Sequence, residues 1–477
     1  MNFVFINPPR KTTGNKIWRI INPANPPLGI ALLSAIWDEK GHSSQIIDAA
    51  ALQLKIPKII AMINPTTDFV GITATTPEIS QALVVAREVR ETFPNTKIIL
   101  GGAHPTVLHE ELVRGKFCDM VVRNEGEIPI IELAKGTPYN LIPNLTWRKS
   151  DNEVVVNHDA ETYVDLNKLP LPAYHKLPMR LYHSALGASK KEPSLGIVTS
   201  RGCPGKCTFC FSKMFGSQIS FTSPAKIIEH IEHLQKNYGI REISFYDDTF
   251  TANKKNVAEL CQLILAREIK FTWSCFARVD SVTPELLLLM KKAGCHQIMY
   301  GFETVDMNIL KNIDKGINLD QFQKAIDWTK AAKIDIRGAF MLGNPGETIT
   351  SIEKTINYAK NIGIPFAIFN ITTPYPGTAM YKEFSTKNLL LHHTWDLYNL
   401  AEPILKLDTV SGDTVKQYYY KAYRAFYLRP GFILRHIFAK HTTAELRIYV
   451  KAVSRITGLL LKNAFSRKNL KGATIGF

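Results

Sequence analysis

Two long runs of alternating short apolar strands and amphipathic helices constrain this chain more than any other feature, because such alternation buries itself as a parallel sheet flanked by helices. In the first run the strand segments are residues 3–6, 45–48, 69–73, 97–100 and 120–122, with helices over 28–40, 56–64 and 78–93. In the second, strands over 194–199, 242–246, 271–277, 297–301, 336–342 and 367–373 alternate with helices over 224–237, 254–267, 284–293, 319–332 and 349–361. The expected fold is therefore α/β: a doubly wound, Rossmann-like domain over 1–140, then a partial barrel of six units over 193–403, open on one side because a closed barrel has eight. Between them, 141–192 reads as a connector with a hairpin over 145–156 turning at Asp151-Asn152, followed by the proline-broken stretch Leu169-Pro170-Leu171-Pro172. Residues 404–477 form a basic, mainly helical region.

The second run opens on residues 200–211, SRGCPGKCTFCF, where Cys203, Cys207 and Cys210 stand in the spacing CxxxCxxC. Three thiolates aimed from one tight loop can hold an iron cluster, and Gly202, Pro204 and Gly205 supply the turn. A closed structural zinc or electron-transfer site needs a fourth ligand, and the nearest later cysteine is Cys261, with no His in the loop. Three ligands on a four-iron cluster leave one iron open to chemistry. Cys261, Cys275 and Cys295 lie on helix or strand patterns and are expected to pack as buried hydrophobes, and Tyr300, Phe340 and Tyr375 as core aromatics.

Placed directly after an apolar strand carrying Leu195, Ile197 and Val198, with Phe209 before the last cysteine and Phe211 after it, this motif resembles the signature of radical S-adenosylmethionine (radical SAM) enzymes. The resemblance implies that Cys203, Cys207 and Cys210 ligate a 4Fe-4S cluster whose open iron is chelated by S-adenosylmethionine, which the reduced cluster cleaves to a 5'-deoxyadenosyl radical. It implies that residues at the carboxyl ends of the second-run strands contact the methionine ammonium, the ribose and the adenine. These are Asp247, Asp248, Arg278, Glu303 and Gly343, with Asp280 and Glu347 nearby. The plainer alternative for each acid is a helix cap or an ion pair.

Ligands of doubly wound sheets sit outside the carboxyl ends of the strands. In the first run those ends carry Thr73, Thr75, Thr76, Gly101 and Gly102, together with Glu125-Gly126-Glu127. A radical SAM core preceded by such a domain resembles the cobalamin-binding subfamily, in which Thr73-Ala74-Thr75 and Gly101-Gly102 match the loops that wrap the cobalamin nucleotide tail. Cobalamin domains of the methionine-synthase type carry a DxHxxG loop after the first strand. Here residues 7–14 read NPPRKTTG, so the lower face of cobalt is expected to lack an imidazole. His104, the only His of the ligand-side loops, is expected at the surface or against the tail.

The resemblance implies a cobalamin-dependent radical SAM enzyme that methylates an unactivated carbon of a small-molecule, lipid-like or tetrapyrrole substrate, with flavodoxin or ferredoxin as electron donor. Two alternatives stay open: an oxidative cyclase or ring-rearranging enzyme such as the anaerobic magnesium-protoporphyrin ester cyclase, and a non-catalytic cobalamin or metal sensor. A methylthiotransferase fits less well, since residues 1–140 hold a single cysteine, Cys118.

The chain has 477 residues and a net charge of +16, concentrated beyond residue 410, where thirteen Lys or Arg face two acids. Residues 444–461 read as an amphipathic basic helix that can lie on an anionic membrane surface or pack on the core. No recognition module for nucleic acid is present. The start of the chain lacks a charged leader and no run of about 18 apolar residues occurs, so the expected location is the cytoplasm, with peripheral contact at the inner membrane face open.

Overall fold

The computed structural model of the protein describes residues 1–10, 24–161, 163–185, 187–215 and 218–432. The amphipathic stretch 444–461 lies outside the described residues. No helix among the described residues is long and apolar enough to cross a membrane.

The first sheet contains β1 (Asn2–Asn7), β2 (Ser43–Asp48), β3 (Phe69–Thr73), β4 (Lys97–Gly101), β5 (Met120–Val122), β6 (Leu145–Ser150) and β7 (Glu153–Val156), in the order β2-β1-β3-β4-β5-β6-β7. The first five are parallel. Their central members are buried on both faces, which is why they read as unbroken apolar runs. The predicted hairpin, β6 and β7, pairs antiparallel onto β5 and extends this sheet.

The second sheet is parallel throughout, with its strands in sequence order. Its strands are β8 (Ser194–Ile197), β11 (Glu242–Phe245), β12 (Thr272–Ala277), β13 (Cys295–Glu303), β14 (Asp335–Leu342) and β15 (Phe366–Ile371), the half-barrel that the six units predict. A short antiparallel pair, β9 (Ser200–Arg201) with β10 (Ser220–Phe221), brackets the cysteine loop. Helices on this sheet start on side-chain caps, Ser223, Asn253, Thr283, Asn318 and Thr348, each accepting a backbone N–H of its first turn.

The open edge at β15 is covered by the helix Gly412–Tyr427. The Tyr423 hydroxyl donates to Phe369 O (3.0 Å) and the Tyr427 hydroxyl to Ala367 O (2.7 Å), while each also accepts the N–H of the same strand residue. Two tyrosines thus do the work of a missing neighbour strand.

Beyond the hairpin, the described residues of the connector are irregular apart from short 3-10 turns. It is fastened to the first sheet by Tyr182 donating to Asp48 Oδ2 (2.7 Å) and Lys176 pairing with Asp38 (2.5 Å). Its Tyr174, Leu177 and Tyr182 belong to one apolar core that runs from Phe3 and Trp37 to Leu195 and Phe245. The carboxyl ends of both sheets are thereby held at one seam. Cys261, Cys275 and Cys295 are buried as expected, as are Tyr300 and Phe340.

Candidate active site

The cysteine loop is gripped from three directions. Thr208 donates its N–H to Ile313 O (3.0 Å) and accepts that of Met380 (2.9 Å), and Phe209 packs on Ile313, Met380 and Phe384. Gly205 makes the turn: a Cβ there would stand 3.1 Å from Arg278 Nη1, 3.4 Å from Cys203 Sγ and 3.8 Å from Cys207 Sγ, so two thiols and a guanidinium already crowd one glycine. Cys203 and Cys207 are half-buried and Cys210 is exposed. Among the described residues no three Cys, His, Asp or Glu side chains converge as a ready-made metal trio. The donor chemistry still fits a cluster: three thiols lie on one loop with two cations beside them.

Those cations are Arg278 and Lys315. Arg278, at the end of β12, forks onto Asp280 (3.0 and 2.9 Å) and donates to Lys315 O (3.1 Å). Lys315 is buried and pairs with Glu303 Oε1 at 2.7 Å. Burial opposes the Lys315 charge, but Glu303 and Cys207 outweigh it and hold its pKa above the usual value. Burial likewise pushes the Cys207 thiol up, against the pull of Lys315 and Arg278. Glu303 closes β13 at φ +62°, a left-handed turn that is unusual outside glycine and marks a strained strand end.

The remaining residues at these strand ends separate into exposed and enclosed groups. Asp248 is exposed and accepts the N–H of Gly202, inside the loop. Asp247 is buried, with both oxygens occupied: Oδ1 takes the Thr199 N–H (2.6 Å), and Oδ2 takes the hydroxyls of Thr199 (2.6 Å) and Ser200 (2.8 Å). Burial raises its pKa to about 6. The structure therefore makes Asp247 a residue that positions the start of the loop, where the sequence suggests a ligand contact. Gly343 (φ +80°) faces Val415 of the covering helix, 2.9 Å from where its Cβ would be, so its smallness serves packing.

Across the seam lies a cavity of about 360 Å3, mostly apolar, lined by Gly71, Thr73, Gly101, Gly102 and Gly126 on one wall and by Leu169–Pro172, Val198, Arg201 and Phe215 on the other. Gly101 leaves room: a Cβ there would come no nearer than 3.7 Å to Val122 O. Gly102 (φ +100°) has none, since its Cβ would meet Ala74 O at 2.8 Å. Small residues along a sheet's carboxyl ends form a slot for a flat ligand tail, and the expected Thr73, Gly101 and Gly102 line it.

Thr75 and Thr76 do not line this cavity. Thr75 is exposed and caps the next turn, its hydroxyl donating to Glu78 Oε2 (2.7 Å), while Thr76 is buried and bonded to His104 (3.3 Å). His104 is not at the surface as expected: it is 1% exposed, edge-on to Trp395 at 5.0 Å, and burial lowers its pKa to about 4, which keeps the imidazole neutral.

The cavity meets the cysteine loop at Arg201. Its two arms reach Glu125 Oε1 (2.6 Å) and Glu127 Oε1 (2.5 Å), just beyond β5, and all three side chains are largely buried. Arg201 precedes Cys203 by two residues and lines the cavity. Neither it nor Lys315 stands out in the sequence as a site residue. Arg201 sits unmarked just before the cysteine motif and its partners are 76 and 74 positions away.

A parallel half-barrel with a three-cysteine loop at its rim, set against a doubly wound domain with a glycine-lined slot, defines the class of protein. The profile of the Radical SAM superfamily matches residues 197–359, and that of the B12 binding domain matches residues 21–134. An uncharacterised methyltransferase of Pyrococcus horikoshii is 36% identical over 95% of this chain and 99% of its own length. The anaerobic magnesium-protoporphyrin IX monomethyl ester cyclase of Rubrivivax gelatinosus is 25% identical over 100% of this chain and 85% of its own. Among solved structures, the radical S-adenosylmethionine methyltransferase TsrM of Kitasatospora setae shares the fold, with a TM-score of 0.66 at 16% identity over 82% of this chain and 75% of that one. The chain belongs to the cobalamin-binding radical SAM enzymes. Its cofactors are those of that family: a 4Fe-4S cluster, S-adenosylmethionine and cobalamin.

Proposed function

We propose that this enzyme methylates an unactivated carbon of a small-molecule, lipid-like or tetrapyrrole substrate, drawing electrons from a flavodoxin or ferredoxin. The observation that carries the reading is the seam, where a cysteine loop and a glycine-lined cavity face each other across one arginine. When bound, the cofactors would supply hydrogen-atom abstraction and a transferable methyl group.

This chain's part is to hold and orient. Cys203, Cys207 and Cys210 would ligate the cluster, and the neighbouring Arg278 and Lys315 favour its negative charge. Asp248, exposed beside Gly202, offers an acceptor to the methionine ammonium, and Arg278 offers the carboxylate a guanidinium. Glu303, paired with Lys315, would offer its carboxylate to the ribose diol. Thr73, Gly101 and Gly102 would take the cobalamin tail. The apolar lining from the connector would disfavour water beside the bound cofactor.

The test is an anaerobic assay of reconstituted protein with reductant, S-adenosylmethionine, hydroxocobalamin and lysate-derived small molecules, against Cys207→Ala. Production of both 5'-deoxyadenosine and S-adenosylhomocysteine, lost together in the variant, is expected. Deoxyadenosine without S-adenosylhomocysteine while substrate is consumed would favour the cyclase reading. Neither product from protein with a full complement of iron would overturn the radical mechanism.

A further inference from the structure

Glu125 and Glu127 hold Arg201 symmetrically, yet their other oxygens differ. Glu125 Oε2 accepts the N–H of Val164 at 3.4 Å. Glu127 is 4% exposed and lines the cavity, and its Oε2 is buried with no hydrogen-bond partner among the described residues. A buried carboxylate oxygen without a donor is strongly unfavourable, so this position asks for an N–H or O–H from whatever fills the cavity. Arg201 does not supply it: its arms reach Oε1 of each glutamate.

The rest of the cavity wall is mostly Leu, Ile, Pro and Gly, so the occupant is largely apolar with few donors on this side. A corrin ring carries primary carboxamides on its rim, each with two N–H donors and no charge. Resting on the reading that the cavity takes cobalamin, we propose that Glu127 Oε2 accepts a carboxamide N–H of the corrinoid, and that Arg201 ties this contact to the cysteine loop. Arg201 is a positioning residue. It ends β9, two positions before Cys203, and β9 pairs with β10 to form the base of the loop. Fixing Glu127 fixes one arm of the guanidinium, and the guanidinium fixes the strand from which the cysteines hang. Occupancy of the cavity and order of the loop are then one equilibrium, and coupling through it is reciprocal.

The experiment uses full-length, anaerobically reconstituted protein, with thermal unfolding to verify the fold of each variant. Hydroxocobalamin affinity by equilibrium dialysis is expected to fall about tenfold or more in Glu127→Gln, the loss of a charged acceptor, and by less than about threefold in Glu125→Gln. Equal affinity in wild type and Glu127→Gln overturns the contact. Wild-type protein gives an independent arm: among cobalamin monocarboxylic acids, each with one carboxamide hydrolysed, one isomer is expected to bind about tenfold more weakly because its carboxylate meets Glu127. Uniform binding of all isomers overturns the contact as well.

For the tie, S-adenosylmethionine affinity is measured with and without hydroxocobalamin. Wild type is expected to gain about fivefold with cobalamin, and Arg201→Met to show a ratio near one. An unchanged ratio in Arg201→Met overturns the tie. Wild-type protein that takes up iron but no hydroxocobalamin would overturn the parent reading, a result distinct from all of these.

Discussion

The two faces of the six-stranded sheet treat buried acids in opposite ways. At the amino ends of the strands Glu242 is fully enclosed and fully partnered: it receives the N–H groups of Lys190 (2.7 Å) and Lys191 (2.8 Å), the hydroxyl of Thr272 (2.7 Å) and the ring of His296 (2.6 Å). Burial opposes its charge, but these donors prevail and its pKa falls below the usual value. At the carboxyl ends Asp247 and Glu347 are as deeply buried, and burial wins: their pKa values rise to about 6 and about 7. One face therefore satisfies its charges internally and holds the strands together. At the other, Asp247 is filled by Thr199 and Ser200, but Glu347 keeps a buried oxygen without a partner among the described residues and the thiols of the cysteine loop stay partly exposed, as a face must if ligands are to complete it.

Exchanging one residue on each face should separate the two roles. Cys207→Ser is expected to abolish 5'-deoxyadenosine formation and to lower the iron content, with a denaturation midpoint near that of wild-type apoprotein. Glu242→Ala is expected to do the reverse. It leaves buried His296 without its acceptor and also removes the partner of the Thr272 hydroxyl and of the Lys190 and Lys191 N–H groups, and should lower stability by about 3 kcal/mol in denaturant titrations while iron uptake at low temperature persists. Retained iron in the first variant, or unchanged stability in the second, would break the distinction.

A different loss tests the strand-end pair. Lys315→Met strands Glu303 in a buried site and removes a cation from beside Cys207. Stability is expected to fall by about 3 kcal/mol. The Cys207 thiol, freed of one cation, should alkylate more slowly in apoprotein at pH 8, which is measured by iodoacetamide labelling. A faster reaction would mean that Lys315 shields the thiol rather than stabilising the thiolate.

Much of this was legible in the chain because it is local. The strands at 69–73 and 120–122 stand at the bounds that apolar patterning gives, and the cysteine loop follows the strand holding Leu195 and Ile197 as its spacing requires. What could not be read depends on partners far away in sequence. The hairpin's membership of the first sheet needs Met120 opposite Trp147. Arg201 finds its role through residues in another domain, and Lys315 through a strand end that bends to φ +62°. Asp247 and Glu303 look alike in sequence, each following an apolar strand. Only the structure distinguishes an acid whose oxygens are filled by Thr199 and Ser200 from one paired to a lysine beside a thiol. Thr75 and Thr76 share a run with Thr73 yet do not line the cavity, because a 3-10 turn starts at Thr76 with Thr75 as its cap.

The smallest expected effect is also the one whose sign separates the faces most cleanly. Glu347 accepts the N–H groups of Gly343 (2.6 Å) and Asn344 (3.0 Å) through Oε2, while its buried Oε1 has no partner among the described residues. With its pKa raised to about 7 by burial, native Glu347 keeps a proton that the unfolded chain has already lost above its ordinary value of 4.5. The native state binds more protons across that window, so stability must fall as pH rises from about 4.5 to about 7. Asp247 acts in the same direction up to about pH 6. Glu242 acts oppositely: its pKa is lowered, so the stability it gives is present above the ordinary carboxylate value and lost as pH falls through its folded value. Glu347→Gln removes one titration from the carboxyl face. The variant is expected to be more stable than wild type at pH 8, by roughly 1 kcal/mol in denaturant titrations, and to show a flatter profile between pH 6 and 7, with the acid-side loss attributed to Glu242 untouched. A variant as steep as wild type between pH 6 and 7 would show that the buried carboxylate has found a donor, and the carboxyl face would then be as internally satisfied as the amino face.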